Sequence, residues 1–232
     1  VASTETAIVR TTSRRACRFI AAAAAAYWLG SCAGVGVVVE EGTPPRYTAR
    51  RVTPFGETNP FDLVVMDTVL FFRGTGIGGE ELWRSDGQPI GTRELKDVNI
   101  GRSSSPSWLT PVSHTLYFAA DDGFHGRELW KSDGTDNGTI MVADISPGSV
   151  GSDPEDLVGQ GDVLFFSAND GVYGKELWMT DGTTSGTRLV SDVASGKASS
   201  SPHDILFVGG RVFFAADDGR SGFELWTSNG TS

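Results

Sequence analysis

Thiols are nearly missing from this chain. Two cysteines occur among 232 residues, and both, Cys17 and Cys32, precede residue 33. Everything after them therefore lacks a disulfide frame and a cysteine-based zinc site. Histidine is confined to His114, His125 and His203, which are scattered and offer no converging ligand set. Basic charge is also short: 19 Lys and Arg against 29 Asp and Glu leave a formal charge of −10. Arg10, Arg14, Arg15 and Arg18 lie near the start, so the remainder is more acidic still. Such a surface repels phosphate backbones, which excludes nucleic acid as a partner. Long 3.6-residue apolar periods are absent from 46–232, which argues against helices there. Neither a Gly-x-Ser-x-Gly elbow nor His-Glu-x-x-His occurs. The glycine-rich stretch Gly74–Gly79 lacks the Lys-Ser/Thr that completes a phosphate loop.

What the chain has is repetition. Glu81-Leu82-Trp83-Arg84-Ser85-Asp86-Gly87 returns, with variation, from Glu128, Glu176 and Glu224. The glutamates are spaced by 47, 48 and 48 residues. A period of this size denotes repeated supersecondary units. Within the third unit, short β-prone runs alternate with glycine-centred turns. They are 156–160, then 163–168, 175–180 and 187–193. Four short strands per period is the outline of a β-propeller blade, and the chain is expected to be all-β, with about four blades. An isolated sheet of this kind is apolar on both faces and must be covered on both, which radial stacking achieves. Trp83, Trp130, Trp178 and Trp226 recur once per unit and are expected to pack between neighbouring sheets. A row of exposed indoles for sugar binding is the alternative.

The first residues read differently. Arg10–Arg18 is basic, Phe19–Leu29 is apolar and alanine-rich, and Leu29-Gly30-Ser31-Cys32 follows. This order is that of a secretory signal. Leu-Gly-Ser-Cys resembles the bacterial lipobox, which would make Cys32 the lipidated residue. Cleavage after Ala33 would instead release a soluble protein. An uncleaved Phe19–Val39 could stay as a membrane anchor. The expected organisation is an export signal over 1–32, a flexible tether over 33–45 and the repeats over 46–232.

The phrase Glu128 to Thr135, like Glu176 to Thr183, matches the ELWxxDGT repeat of bacterial secreted and surface proteins. The resemblance covers roughly Gly42 to Ser232, with Gln88 and Asn229 departing from the pattern. It implies a β-propeller fold and an extracellular or envelope location, but no reaction. A Gly-Thr pair opens each fourth strand: Gly91-Thr92, Gly138-Thr139 and Gly186-Thr187. The last unit lacks one, whereas Gly42-Thr43 precedes the first. The N-terminal segment could therefore supply the last blade's missing strand. The rival expectation is a sequence cut from a larger propeller.

Acidic residues crowd the turns. Asp86, Asp133 and Asp181 follow the tryptophans, and the pairs Asp121-Asp122 and Asp217-Asp218 close other turns. Such loops can bind Ca²⁺ through hard oxygens, but they also form Asx turns, and the EF-hand spacing is missing. Ca²⁺ is thus the weak cofactor candidate, at Asp121, Asp122, Asp217 and Asp218. Glu81, Glu128, Glu176 and Glu224 could line up as a carboxylate ring, yet the expectation is that each bonds backbone. Four equivalent acids do not offer the differentiated pair that glycoside hydrolysis uses. Residues that break the repeat are better binding candidates. Trp108 stands where Asp62, Asp156 and Asp204 stand. Phe124-His125 occupies the loop position held by Val172-Tyr173 in the third unit. These features point to an exported, non-catalytic scaffold for an extracellular protein or glycan, touching membrane only through its N-terminus. A hydrolase or lyase using acids at the channel mouth is the alternative, as is a fragment of a larger surface protein.

Overall fold

The structure is a computed structural model and describes residues 6–8, 38–40, 49–53 and 58–230. The chain divides into two compact units, Val1–Arg50 and Arg51–Ser232. In the first, β1 (Thr6–Ile8) pairs antiparallel with β2 (Val38–Glu40), Ala7 opposite Val39. Cys32, Gly42-Thr43 and nearly all of the export signal and tether lie outside the described residues. Among the described residues no helix is long and apolar enough to cross a membrane.

The second unit is all-β. Its first sheet holds β3 (Phe61–Met66), β4 (Val69–Gly76), β5 (Gly79–Ser85) and β6 (Arg93–Lys96) in sequence order. The second holds β7 (Ser107–Val112), β8 (Thr115–Asp121), β9 (Arg127–Ser132) and β10 (Ile140–Ala143). The third holds β11 (Glu155–Gln160), β12 (Val163–Asn169), β13 (Lys175–Thr180) and β14 (Arg188–Ser191). The fourth holds β15 (His203–Val208), β16 (Arg211–Asp217) and β17 (Phe223–Ser228), and among the described residues no fourth strand. The register repeats. Phe72 faces Trp83, Phe118 faces Trp130, Phe166 faces Trp178 and Phe214 faces Trp226.

Alternation in the second and third strands sends side chains to both faces, and both faces bury apolar surface. Phe71, Leu82 and Leu95 of the first sheet pack with Leu116, Phe118 and Trp130 of the second. Leu129 and Val142 of the second pack with Leu157, Leu164, Phe166 and Trp178 of the third. Phe165, Leu177 and Val190 of the third pack with Ile205, Val212, Phe214 and Trp226 of the fourth. Each fully buried Leu or Phe contributes about 1.5–3 kcal/mol, so these inter-sheet layers are the core. The first strands are where neighbouring sheets meet most closely: β3 with β7, β7 with β11, β11 with β15. Polar clamps follow the same step. Arg84 Nη1 donates to Gly134 O at 2.7 Å, Lys131 Nζ to Gly182 O at 2.8 Å, and Arg188 Nη2 to Gly230 O at 2.7 Å. The first two reach the Asp-Gly turn of the next sheet, and the third its Asn229-Gly230 counterpart.

Each first strand begins with a bulge, where pairing skips between Phe61 and Val64, Ser107 and Thr110, Glu155 and Val158, and His203 and Leu206. The residue after the bulge's start has positive φ: Asp62 (53°), Trp108 (58°), Asp156 (54°) and Asp204 (52°). Asp tolerates this left-handed conformation because its short carboxylate can bond locally. Tryptophan does not share that advantage.

Candidate functional site

The repeated glutamates hold the sheets in series. Glu128 is fully buried. Its Oε1 accepts N–H bonds from Ser146 and Ser152, both at 3.0 Å. Its Oε2 accepts from Ile145 N–H at 3.2 Å and Ser152 Oγ at 2.5 Å. Glu81 accepts from Val98 N–H, Ser104 N–H and Ser104 Oγ, and Glu176 from Val193 N–H, Ser200 N–H and Ser200 Oγ. The serines lie on the links to the next sheet. Their carbonyls accept N–H bonds from Asp121, Asn169 and Asp217, at the ends of the next second strands. One carboxylate therefore ties the end of its own sheet to the start of the following one. The link passes so close that glycine is required: at Gly126 (φ 69°) a Cβ would lie 2.6 Å from Gly151 N. Burial pushes the carboxyls of Glu81, Glu128 and Glu176 above the ordinary range, and the N–H and O–H donors only partly offset it. Glu224 differs. It is exposed, and among the described residues no donor reaches its carboxylate.

The turn aspartates are occupied in the same local manner. Asp86 Oδ1 accepts from Gln88 N–H at 2.9 Å. Asp133 Oδ1 accepts from Thr135 N–H and Oγ1, and Asp181 Oδ1 from Thr183 N–H and Oγ1. Those hydrogen bonds hold the Asp133 and Asp181 carboxyls below their ordinary value. The calcium candidates are similarly engaged. Asp121 accepts from Gly123 N–H, Asp122 from Phe124 and His125 N–H, Asp217 from Gly219 N–H, and Asp218 from Arg220 and Ser221 N–H. Among the described residues no three His, Cys, Asp or Glu side chains converge as a metal shell.

Trp83 and Trp130 are buried and Trp178 and Trp226 half-buried. Trp226 Nε1 donates to Ala216 O at 3.0 Å. The buried indole N–H of Trp83, Trp130 and Trp178 has no acceptor in range, and nothing in the structure explains this.

Two grooves remain. The first, about 470 Å³, lies where β3 and β7 meet, between Asp62, Leu63 and Val64 on one side and Trp108, Leu109 and Thr110 on the other. Trp108 is 44% exposed and sits on the bulge, which aims its ring away from the pleat. The second, about 530 Å³, is lined by Asn99, Ile100, Arg102, Asp121, Asp122 and Phe124. Phe124 is 77% exposed at its rim. His125 Nδ1 lies 2.7 Å from Asp122 Oδ2, and this contact raises the imidazole's affinity for a proton. Burial alone would raise the Asp122 carboxyl, but the His125 and Phe124 donors outweigh it and hold the group below its ordinary value. In the third unit Asp170 accepts from Val172 and Tyr173 N–H, which leaves the Tyr173 ring partly exposed. Trp108 and Phe124 line separate grooves, and His125 and Tyr173 line neither of the two.

No family profile matches the chain, and no curated protein does. Among solved structures, the chain is similar to the crystal structure of a puromycin hydrolase mutant complexed with PGG. The TM-score is 0.44 and the identity 14%, over 67% of this chain and 25% of that one. The chain thus spans about a quarter of that structure's length.

One feature escaped the sequence. Ser104, Ser152 and Ser200 are as regular as the glutamates they bond, standing 23, 24 and 24 residues after them. They sit in serine-rich links, where spacing alone does not single one hydroxyl out.

Proposed function

We propose that this chain is an exported interaction scaffold, a β-propeller built from repeats of the ELWxxDGT type, that binds an extracellular glycan or protein without catalysis. The basic, apolar, small-residue order of the first 32 residues supports export, with Cys32 as the lipid attachment site. The observation that carries the binding role is Trp108. It replaces an aspartate at a left-handed bulge where aspartate is the favourable residue, and its half-exposed ring faces an open groove. Strain of this kind persists where function uses it. A flat aromatic with carboxylates such as Asp62 nearby suits a sugar ring, whose C–H face stacks on indole while hydroxyls bond the acids. The absence of catalysis rests on the acids themselves: three of the four repeated glutamates are spent on backbone and serine donors. The hydrolase alternative draws on Asp156, whose carboxyl burial and the neighbouring Glu155 push upward.

The test is a glycan array and a pull-down with Trp108→Asp, which restores the residue of the other units. The expected result is a folded protein that loses binding at least tenfold. Unchanged binding removes Trp108 from the site. Turnover in a hydrolase panel that disappears with Asp156→Asn would replace the scaffold by the enzyme.

A further inference from the structure

The Trp108 groove carries charge of one sign. Asp62, Trp108 and Asp156 are the second residues of β3, β7 and β11, and Asp204 is that of β15. β7 meets β3 on one side and β11 on the other, where Thr110 Oγ1 donates to Leu157 O at 3.4 Å. Trp108 is thus an aromatic set in a row of carboxylates. No Lys, Arg or His lines the groove. The cations at the same end of the sheets are spent elsewhere. Arg73 Nη2 bonds Glu80 Oε2 at 2.6 Å, Arg127 Nη1 bonds Ser105 O at 2.8 Å, and Lys175 Nζ pairs with Glu155.

These carboxylates differ from those of the turns. Asp121, Asp122, Asp133 and Asp181 each accept an N–H from within three residues. Among the described residues no group donates to the Asp62 or Asp156 carboxylate. Asp204 Oδ2 lies 3.9 Å from His203 Nε2, beyond hydrogen-bond range. Burial and the like charges of Glu155 and Asp204 push the Asp156 carboxyl above its ordinary value, and His203 and Lys175 only partly offset them. Carboxylates on neighbouring first strands therefore feel one another, and a cation beside them relieves the repulsion.

We infer that this groove binds an amino sugar, the C–H face of its ring stacked on Trp108 and its free ammonium held by the Asp62 and Asp156 carboxylates. The inference rests on the glycan reading above and narrows it to a cationic class. An indole with carboxylates at its side attracts a positive charge twice, through the ring quadrupole and through the acids. A neutral sugar uses the stacking but leaves the charge of the row uncompensated. A sugar bearing a carboxylate or sulfate is repelled. At about 470 Å³ the groove is of small-ligand size, larger than one Lys or Arg side chain fills, so a ring with an ammonium on its edge matches both its width and its charge.

The experiment is calorimetric titration of the full chain with chitosan hexamer, whose amines are free, and with chitin hexamer, whose amines are acetylated. Both are run at physiological ionic strength and at a pH where the free amines are charged. The expected result is saturable binding of the chitosan hexamer, at least tenfold tighter than that of the chitin hexamer. Asp62→Asn and Asp156→Asn should each weaken it about tenfold, the loss of one charge-assisted hydrogen bond. Asn tolerates the left-handed φ of both positions, so these variants fold. Trp108→Asp should abolish binding although it adds a negative charge. Unchanged or tighter binding by that variant marks unspecific attraction of a polycation to an acidic protein and overturns the proposal. An equal loss with Asp136→Asn, an exposed acid of the β9–β10 turn, overturns it for the same reason. Equal, Trp108-dependent affinity for the two hexamers overturns the role of the amine and leaves the glycan reading standing. Binding of neither hexamer overturns the proposal, and the glycan array then decides the wider reading by itself. Competition by tetralysine or tetra-arginine as strong as that by chitosan hexamer also overturns it, because charge alone is then read.

Discussion

Replacing Glu128 by Gln tests the reading that the repeated glutamate is a structural knot. The carboxylate receives four donors. A glutamine amide placed with its oxygen toward the Ser146 and Ser152 N–H groups turns its NH₂ toward Ile145 N–H and the Ser152 hydroxyl. The hydroxyl can rotate and accept. The Ile145 N–H cannot, and a buried donor without a partner costs about 1–3 kcal/mol. The two bonds that remain lose their charge assistance, which roughly halves them. Removing a buried negative charge returns part of this, because burial already disfavours the ionised form. The net loss at neutral pH is about 2–3 kcal/mol. For a domain of this size about 1 kcal/mol moves Tm by roughly 2–4 °C, so the midpoint should fall by about 4–12 °C. Glu224→Gln, at an exposed copy of the same residue, should stay within about 0.5 kcal/mol. Thermal unfolding followed by circular dichroism reads both. Equal midpoints for the two variants would refute the assignment.

The pH dependence has a definite sign. Glu128 binds its proton more tightly folded than unfolded, so its contribution is complete below its ordinary value of 4.5 and is lost as pH rises through the folded value. The Tm gap between the parent and Glu128→Gln should therefore be wider at pH 4 than at pH 7; a gap that grows with pH would mean that the donors outweigh burial. Trp108→Asp should hold or raise the Tm while abolishing binding, because Asp accepts the φ of 58° that strains Trp; a fall of several degrees in thermal unfolding would contradict the strain. Leu177→Ala should cost about 2–5 kcal/mol, whereas Leu225→Ala, at 78% exposure, should cost under about 0.5 kcal/mol in urea unfolding. Chelation with EDTA should leave the Tm unchanged, since loop N–H groups already engage the Asp121, Asp122, Asp217 and Asp218 oxygens; a drop would restore the calcium reading.

The repeat was legible because strand and turn signals are local. Lys175–Thr180 and its equivalents carry β-branched and aromatic residues between glycine turns, and the third-unit strands fall within one or two residues of their expected bounds. The equivalence of Trp108 with Asp62, Asp156 and Asp204 was also visible in register alone. That this position is a left-handed bulge was not, because backbone conformation there depends on pairing with the neighbouring strand. The serine partners of the glutamates were hidden for a related reason: they act across a link of more than 20 residues.

Period, strand content and the chemistry of each turn belong to the sequence by itself, since contacts a few residues apart generate them and every unit writes them again. Which copies become equivalent was decided only by tertiary structure. Glu128 and Glu224 share the Glu-Leu-Trp phrase, yet among the described residues the first is buried under donors from Ile145, Ser146 and Ser152 and the second faces water. Burial and hydrogen bonding depend on what lies across the sheet, which a phrase of a few residues does not encode.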